Sequence, residues 1–396
     1  MKNFKRFMCL FMMMVMVLSM TACKKEEEKK QPAGASAEDI EKVEDIFGAL
    51  DLGSKYVQGY YLSSVVFDVN VDGIAADGSM VVNGKTDGKG STSGFSIDFE
   101  DVYLTGTNVM IAVDDKAYID VDSLVECLAA VETTFGALEI PLPEMDKKVQ
   151  EDMQKQGQEL MTGLVKAAFK DIEAVKNGDA YVIEVKTAEE CIKIVNAALD
   201  YISENKDAIN DYYNTSATSV DTKAYLVEFV EFYRDDLIDT GKIIGEDITN
   251  ESIDDIIAEI ENVEIPEVTE TDFLADVDFE ALKTQLEAVD AEELQGIIDA
   301  NGIVLKLSVT ATTDFYGVEV TFAMDGDAGK ADVAVKYEFR VNDSVEVTKP
   351  SNVTSIAKIC ETLDEDQELM AEISSGLMKT LSDFGSMGYY GNVAGY

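Results

Sequence analysis

The sequence predicts an α+β fold in which a curved antiparallel β-sheet packs against a layer of helices. Two groups of segments with alternating apolar residues lie far apart in the chain, at 58–121 and 303–341. Alternation with a period of two places apolar side chains on one face of a strand, as in an antiparallel sheet with one buried face. Residues 144–302 instead carry apolar residues at helical spacing, so we expect one domain at 38–383 with a helical insertion at about 188–301.

The first meander follows a short helix that the spacing of apolar residues predicts within 38–50. Its first strand has apolar side chains at every second position, at Val65, Phe67, Val69 and Val71. A later strand repeats this pattern at Phe95, Ile97 and Phe99. Glycine-rich segments at 73–78 and 84–94 supply the turns, and residues 109–121 extend the meander. The pattern predicts consecutive antiparallel strands.

The helical part of the chain is interrupted by one predicted strand, from Ala180 to Val185. Apolar residues recur at helical spacing over 188–205 and 222–239. The clearest stripe occupies positions i, i+3, i+4 and i+7, at Ile253, Ile256, Ile257 and Ile260. Asn301-Gly302 then predicts a helix end, because glycine adopts the left-handed conformation that commonly follows a helix.

The second meander consists of three predicted strands, which carry alternating apolar residues around Leu307, Val320 and Val335. Charged residues such as Lys306 and Lys336 take the opposite face. Either meander alone would leave its apolar face in water. We therefore predict that the two meanders form one sheet, although about 180 residues separate them. A helical segment at 352–383 and a flexible tail at 384–396 complete the predicted organisation.

Composition and charge exclude several classes of function. The chain has 78 acidic and 32 basic side chains, and its net charge of −46 repels nucleic acid and anionic lipid headgroups. It contains no histidine, which removes histidine-based acid–base catalysis, Cys-His nucleophiles and imidazole metal ligands. The sequence has no P-loop or dinucleotide-binding glycine motif. We therefore expect a protein that is not an enzyme, binds no nucleic acid and carries no cofactor or metal.

Two short motifs resemble functional sites without the context that those sites need. Ser355 and Lys358 have the S-x-x-K spacing of penicillin-interacting enzymes, but the S-D-N and K-T-G elements do not follow. Residues 68–73 resemble the start of an EF-hand loop, but its twelfth position is Ser79 and strand patterns flank it. We interpret Ser355 as the first residue of a helix, and the acidic residues at 68–73 as the solvated face of a strand.

Three cysteines lie within the predicted domain, at Cys127, Cys191 and Cys360. Each belongs to an apolar helical pattern, and no pair has the CxxC spacing of metal or redox sites. We interpret them as buried free thiols that pack as small apolar side chains. One disulfide with a spare thiol is the alternative that the sequence leaves open.

Adaptable apolar side chains on segments expected to face one another are candidate linings of a pocket. The candidates are Met153, Met161, Phe229, Phe232 and Met324. Methionine is flexible and polarisable, so it suits an irregular apolar ligand. The alternative is that the same residues pack a large core, since protein interiors normally reach the density of organic crystals.

The N-terminal segment has the composition of a secretory signal. Basic residues at positions 2, 5 and 6 precede an apolar run at 7–20, which Thr21-Ala22-Cys23 follows. The apolar run is too short for a transmembrane helix. The Thr-Ala-Cys junction resembles the bacterial lipobox, in which the cysteine thiol is diacylated and becomes the new N-terminus.

The lipobox resemblance implies that residues 1–22 are a lipoprotein signal peptide and that Cys23 carries lipid. The following residues 23–37 include a run of charged residues and then small ones, without apolar periodicity. This composition is typical of a disordered charged tether. The expected location is the extracytoplasmic side of the cell membrane, with the lipid on Cys23 as the membrane contact.

The lipobox, tether, two meanders and intervening helices together resemble the LolA/LppX-type lipoprotein-carrier fold over residues 38–383. In that fold a curved antiparallel sheet cups helices around an apolar cavity. The resemblance implies a lipid-anchored, non-enzymatic surface lipoprotein that binds a hydrophobic or lipid-like ligand. The long insertion at 188–301 departs from that fold. The alternative function is a structural or adhesive surface protein whose acidic exterior engages other proteins.

Overall fold

The computed structural model describes residues 46–51, 53–71, 74–99, 102–114, 116–142, 147–218, 222–263, 272, 274–275, 277–326 and 329–391. The predicted signal peptide, Cys23, the predicted tether and the N-terminal part of the predicted first helix lie outside these residues, as do residues 392–396. Within the described residues the fold is α+β, with one open twelve-stranded sheet and twelve helices.

The strands alternate along the chain with the helical regions. They are β1 (Gly59–Val71), β2 (Ile74–Thr86), β3 (Ser91–Phe99), β4 (Val102–Val113), β5 (Lys116–Asp120), β6 (Ala137–Ile140), β7 (Ala174–Asn177), β8 (Ala180–Val185), β9 (Val304–Ala311), β10 (Phe315–Gly326), β11 (Gly329–Val341) and β12 (Val353–Thr354). Their spatial order is β12-β6-β5-β4-β3-β2-β1-β11-β10-β9-β8-β7. All neighbours are antiparallel except β12 and β6, which are parallel.

The two meanders join in the middle of the sheet, where β1 pairs with β11 over its whole length. Gly59 lies opposite Val341 at one end of this pair, and Val71 lies opposite Gly329 at the other. The prediction of one shared antiparallel sheet is therefore confirmed. The predicted strand from Ala180 to Val185 is β8, next to β9. Strands β2, β6, β7 and β12 were not expected from the sequence pattern. The expectation of a turn at 73–78 is wrong, because β2 includes residues 74–78 and its Gly78 lies between the rings of Phe67 and Phe99.

The helices flank and connect these strands. They are α1 (Ile46–Asp51), α2 (Val121–Ala129), α3 (Lys147–Phe169), α4 (Ala188–Glu204), α5 (Lys206–Thr218), α6 (Thr222–Phe232), α7 (Arg234–Ile244), α8 (Asn250–Asn262), α9 (Phe279–Glu287), α10 (Ala291–Asn301), α11 (Ile356–Glu365) and α12 (Gln367–Gly391). Gly302 ends α10 with a φ of 55°, as the Asn301-Gly302 signal predicts. Ser355 caps α11 through a hydrogen bond from the Lys358 N–H, so its interpretation as a helix start is confirmed.

One group of helices covers the half of the sheet that contains β8 to β11. Ile46 of α1, Phe169 of α3 and Ile194 of α4 are buried in one cluster with residues of these strands. Two strand residues in the cluster, Ile183 and Leu307, are almost completely inaccessible to solvent. This cluster is the largest apolar core among the described residues.

A second group, α2 and α12, covers the half of the sheet that contains β4. Cys127 of α2 packs against Leu104 of β4, and Ile373 of α12 packs against Ala129 of α2. The two helices approach closely at Gly376, where an added Cβ atom would lie 2.1 Å from the carbonyl oxygen of Ala129. Glycine is required there because any larger residue would push the helices apart.

Helix α12 extends further than the sequence predicts. It continues to Gly391, so part of the segment at 384–396, for which the sequence favours a flexible tail, is helical. The helix contains no proline, and its packing on α2 fixes its first half. Adding residues to an existing helix is much easier than starting one, which explains the continuation.

The helical insertion contacts both halves of the sheet. Helix α4 packs on β8 and β9, whereas Tyr225 and Tyr233, around α6, donate hydrogen bonds to the carbonyl groups of Pro141 and Glu139 at the end of β6. Beyond them, the carboxylate of Asp236 in α7 accepts hydrogen bonds from the first two N–H groups of α11, at 2.7 and 3.0 Å. These contacts fix the insertion at both ends of the sheet.

Candidate functional site

A single row of apolar side chains crosses the sheet at right angles to the strands. Directly opposed residues in antiparallel strands share a face, so the register defines the row. Its members are Ile183, Leu307, Val320, Val335, Val65, Met80, Ile97 and Leu104. Ile183 is 0% exposed and Leu104 is 6% exposed, whereas Met80, between them, is 51% exposed. The two helical groups therefore cover the same face of the sheet at its two sides and leave the middle open.

The open part of this face lies on β1, β2 and β3, and we call it the apolar strip. It comprises Val65, Phe67, Met80, Val82, Phe95 and Ile97. All of these side chains except the exposed Met80 are half-buried. Three adjacent strands span about 10 Å at the usual spacing between strands. The strip is thus a continuous apolar surface between two helical walls.

Two glycines of β2 allow aromatic rings to lie across the strip. An added Cβ at Gly84 would lie 1.9 Å from the Thr92 carbonyl oxygen and 2.6 Å from the Tyr61 hydroxyl. The Tyr61 side chain crosses this glycine and donates a hydrogen bond to the Thr92 carbonyl on β3. At Gly78 the rings of Phe67 and Phe99 meet from either side, with centroids 5.8 Å apart. Aromatic rings therefore lie flat over the backbone of β2 at both glycines.

The face that carries the strip has no charged residue in the described parts of β1 to β4 and β9 to β11. The charged residues of these strands lie on the opposite face, where several of them pair with one another. The Lys330 ammonium group lies 2.7 Å from the Asp68 carboxylate, and Lys336 lies 2.6 Å from Glu338. In a chain with 28% charged residues, this separation distinguishes the uncharged face of the sheet from its solvated, charged face.

The predicted pocket residues lie in three different places. Phe229 and Phe232 are exposed on α6, and each ring meets the Tyr233 ring edge-on, with centroids 5.0 and 4.9 Å apart. Met153 and Met161 are half-buried on α3. Within the described residues, the buried cluster around Met324 contains none of the other four.

Met324 belongs to the covered part of the same sheet face. It is 3% exposed and packs with Phe322 and Ala331. In this location it serves as core packing, which is the alternative that the sequence left open. The residues that line the open strip, above all Met80, were not among the sequence candidates.

A second depression lies on the insertion, between α6 and α8. It has a volume of about 410 Å³ and is lined by Lys223, Ala224, Val227, Glu228 and Glu261. The Lys223 ammonium group donates a hydrogen bond to the Glu261 carbonyl oxygen across it. The depression is wide open and mixes charged with apolar side chains, so it is a weaker candidate than the strip.

All three cysteines of the domain are free thiols. Cys127 is buried in an apolar cluster and Cys191 is half-buried against another. Cys360 is also half-buried, so full burial is confirmed for Cys127 and is wrong for the other two. Burial raises the pKa of Cys191 to about 11, and the nearby Glu190 carboxylate adds to the shift. Burial also raises the pKa of Cys127.

We expect Cys127 and Cys191 to react slowly with iodoacetamide at neutral pH, because only the thiolate is nucleophilic and a raised pKa lowers its population. The rate at Cys191 should keep rising as the pH approaches about 11. Mass spectrometry of digested protein measures both sites, and unfolding in urea should make both react quickly. Fast labelling of either thiol in the folded protein at neutral pH would contradict their burial.

Neither a candidate metal site nor a helix that could span a membrane occurs in the described part of the chain. There, no group of three or more Cys, Asp or Glu side chains is arranged to hold a metal ion. None of the helices in the same residues is both long enough and apolar enough to cross a membrane. Comparison with known proteins finds no protein family that matches the chain and no matching curated protein.

Proposed function

We propose that the protein is a lipid-anchored surface lipoprotein, without enzymatic activity, that binds a hydrophobic or lipid-like ligand on the apolar strip. The observation that carries this proposal is the exposure of Met80 in the middle of a row that is buried at both sides. Exposed apolar surface costs free energy, and Met80 continues an apolar row on a face without charged strand residues, so covering it with an apolar ligand is favourable.

The strip can supply enough binding free energy for a small apolar ligand. Removing about 200 Å² of apolar surface from water contributes about 5 kcal/mol at roughly 25 cal/mol per Å². Part of this gain offsets the lost motional freedom of the ligand. Because the sheet and both helical walls are already formed, little protein ordering is required on binding. The half-buried residues Val65, Phe67 and Ile97 would become fully covered.

The proposed membrane attachment depends on the N-terminal sequence. The Thr21-Ala22-Cys23 junction after an apolar run supports cleavage before Cys23 and diacylation of its thiol. In this arrangement the lipid on Cys23 is the membrane partner, and the folded domain lies on the extracytoplasmic side. The absence of histidine from the sequence supports a binding function over catalysis.

Binding of phenylnaphthylamine, an uncharged probe that fluoresces in apolar surroundings, tests the ligand site. Purified protein beginning at residue 24 retains all described residues, and we expect it to bind the probe saturably. Met80→Lys should weaken this binding by at least about tenfold, or about 1.4 kcal/mol, because it places a charge in the strip. Circular dichroism would verify that the variant is folded.

Met370→Lys is the matched control, since Met370 is 46% exposed on α12 and the substitution is the same. It should leave probe affinity unchanged. Equal affinities for the two folded variants would contradict binding on the strip.

A structural or adhesive role is the second candidate, and the net charge of −46 is the observation that favours it. An exterior of this charge would select basic surfaces of other proteins. Failure of the folded wild-type protein to bind the apolar probe would overturn ligand binding and leave this candidate.

A further inference from the structure

The apolar strip has a polar end and an apolar end. Where β1 and β3 begin and β2 ends, the same face carries hydroxyl groups in place of hydrocarbon. This hydroxyl end consists of Tyr61, Ser63, Thr86, Ser91 and Ser93. Tyr61 lies opposite Gly84, which lies opposite Ser93, so these residues share the face of Met80. Moving along β1 from Tyr61 to Val71, the face changes from hydroxyl-bearing to fully apolar.

The hydroxyl end offers no net charge to a ligand. The turn between β2 and β3 carries one acidic and one basic residue, Asp87 and Lys89. The Asp87 carboxylate is engaged by the N–H groups of Lys89, Gly90 and Val347. These hydrogen bonds hold the Asp87 carboxylate in the turn, so it does not contact a ligand on the strip.

An anionic headgroup at this end would therefore meet two unfavourable conditions. It would leave water beside a turn whose one basic residue, Lys89, is balanced in charge by Asp87, and it would experience the field of a chain with a net charge of −46. Basic residues of the central strands, such as Lys330 and Lys336, lie on the opposite face beside carboxylates. Hydroxyl groups can instead donate to and accept from a neutral hydroxyl or ester group.

We infer that the ligand is an uncharged amphiphile, such as a neutral acylglycerol, whose tail lies along Val65, Met80 and Ile97 and whose head lies at the hydroxyl end. This inference rests on the proposed function and deepens it. It states that the ligand is uncharged and that its head lies toward the hydroxyl end of the sheet. The direction is inferred from the gradient of polarity along β1 and β3, and the neutrality from the zero net charge of the turn and the negative charge of the chain.

Two probes with the same pyrene-labelled alkyl chain, one ending in an alcohol and one in a carboxylate, test the inference. At a pH above the pKa of the acid, the wild-type protein should bind the alcohol at least about tenfold more tightly. Ser93→Lys places a cation at the hydroxyl end and should reduce this preference to about threefold or less.

Ser96→Lys is the matched control, because Ser96 lies on the same strand but on the opposite face, opposite Val81. It changes the net charge of the protein equally and should leave the preference unchanged. If neither probe binds the folded wild-type protein, the proposed function fails. If both bind equally, the proposed function stands and a neutral ligand is excluded. An unchanged preference in a folded Ser93→Lys variant would overturn the position of the head.

Discussion

Replacing Cys23 with alanine is expected to move the protein from the membrane fraction into the medium, or to leave it unprocessed. In the proposed function this thiol accepts the diacyl group, and two acyl chains hold a protein on a membrane where one does so only marginally. Nearly all of the membrane-bound protein should therefore be affected. Fractionation followed by immunoblotting measures the change.

Cys9→Ala is the matched control, since Cys9 lies within the predicted signal peptide. That variant should be processed and retained like the wild-type protein. Normal cleavage of Cys23→Ala together with unchanged membrane retention would show that the thiol does not carry the anchor.

Leu307→Ala is expected to lower the free energy of unfolding by about 2–5 kcal/mol. Leu307 is 2% exposed and packs in the largest cluster, between the strands and the helices α3 and α4. Removal of its side chain leaves a cavity that close-packed neighbours fill only in part. Urea unfolding followed by circular dichroism measures the loss.

Leu226→Ala makes the same substitution on α6, where the leucine is 40% exposed. Its effect should stay within about 0.5 kcal/mol. Similar unfolding midpoints for the two leucine variants would show that the β8–β11 half does not contain the main core.

Strands β1, β3, β9, β10 and β11 could be predicted from the sequence because their apolar residues alternate, and alternation determines which residues share a face. Val65, Val335 and Val320 each belong to an alternating segment, and the structure places all three in one row. Strands β7 and β12 gave no such signal. All four residues of β7 are exposed, and β12 has two residues, so neither carries an alternating apolar face.

The start of α4 could be predicted from the sequence, but the start of α2 could not. Thr187 and Glu190 form the capping box that their spacing predicts. Ser123 and Glu126 have the same spacing, which favours a cap at Ser123. In the structure, however, Asp120 is the cap of α2 and accepts a hydrogen bond from the Ser123 N–H, so the helix begins earlier. Both residues are good caps, and the end of β5 decides between them.

The candidate site was harder to predict than the fold. Val335 lies in a predicted alternating strand, whereas Met80 lies between two glycine-rich segments that were expected to be turns. Their difference in exposure arises from where α2 and α4 dock, which depends on contacts remote in the chain. The separation of charged from apolar residues on the strands indicates which face is apolar, but not which part of that face the helices leave open.

The pairing of β1 with β11 has a consequence for how the chain folds. The Asp68–Lys330 ion pair across these strands joins residues 262 positions apart. Contacts of such sequence separation form late, because a long loop must close before they can stabilise anything. Until β11 is available, β1 is an unpaired edge with an apolar face, which is the kind of strand that associates with other chains. Correct folding of this protein is therefore expected to depend on protection of its N-terminal meander until the last third of the chain is available.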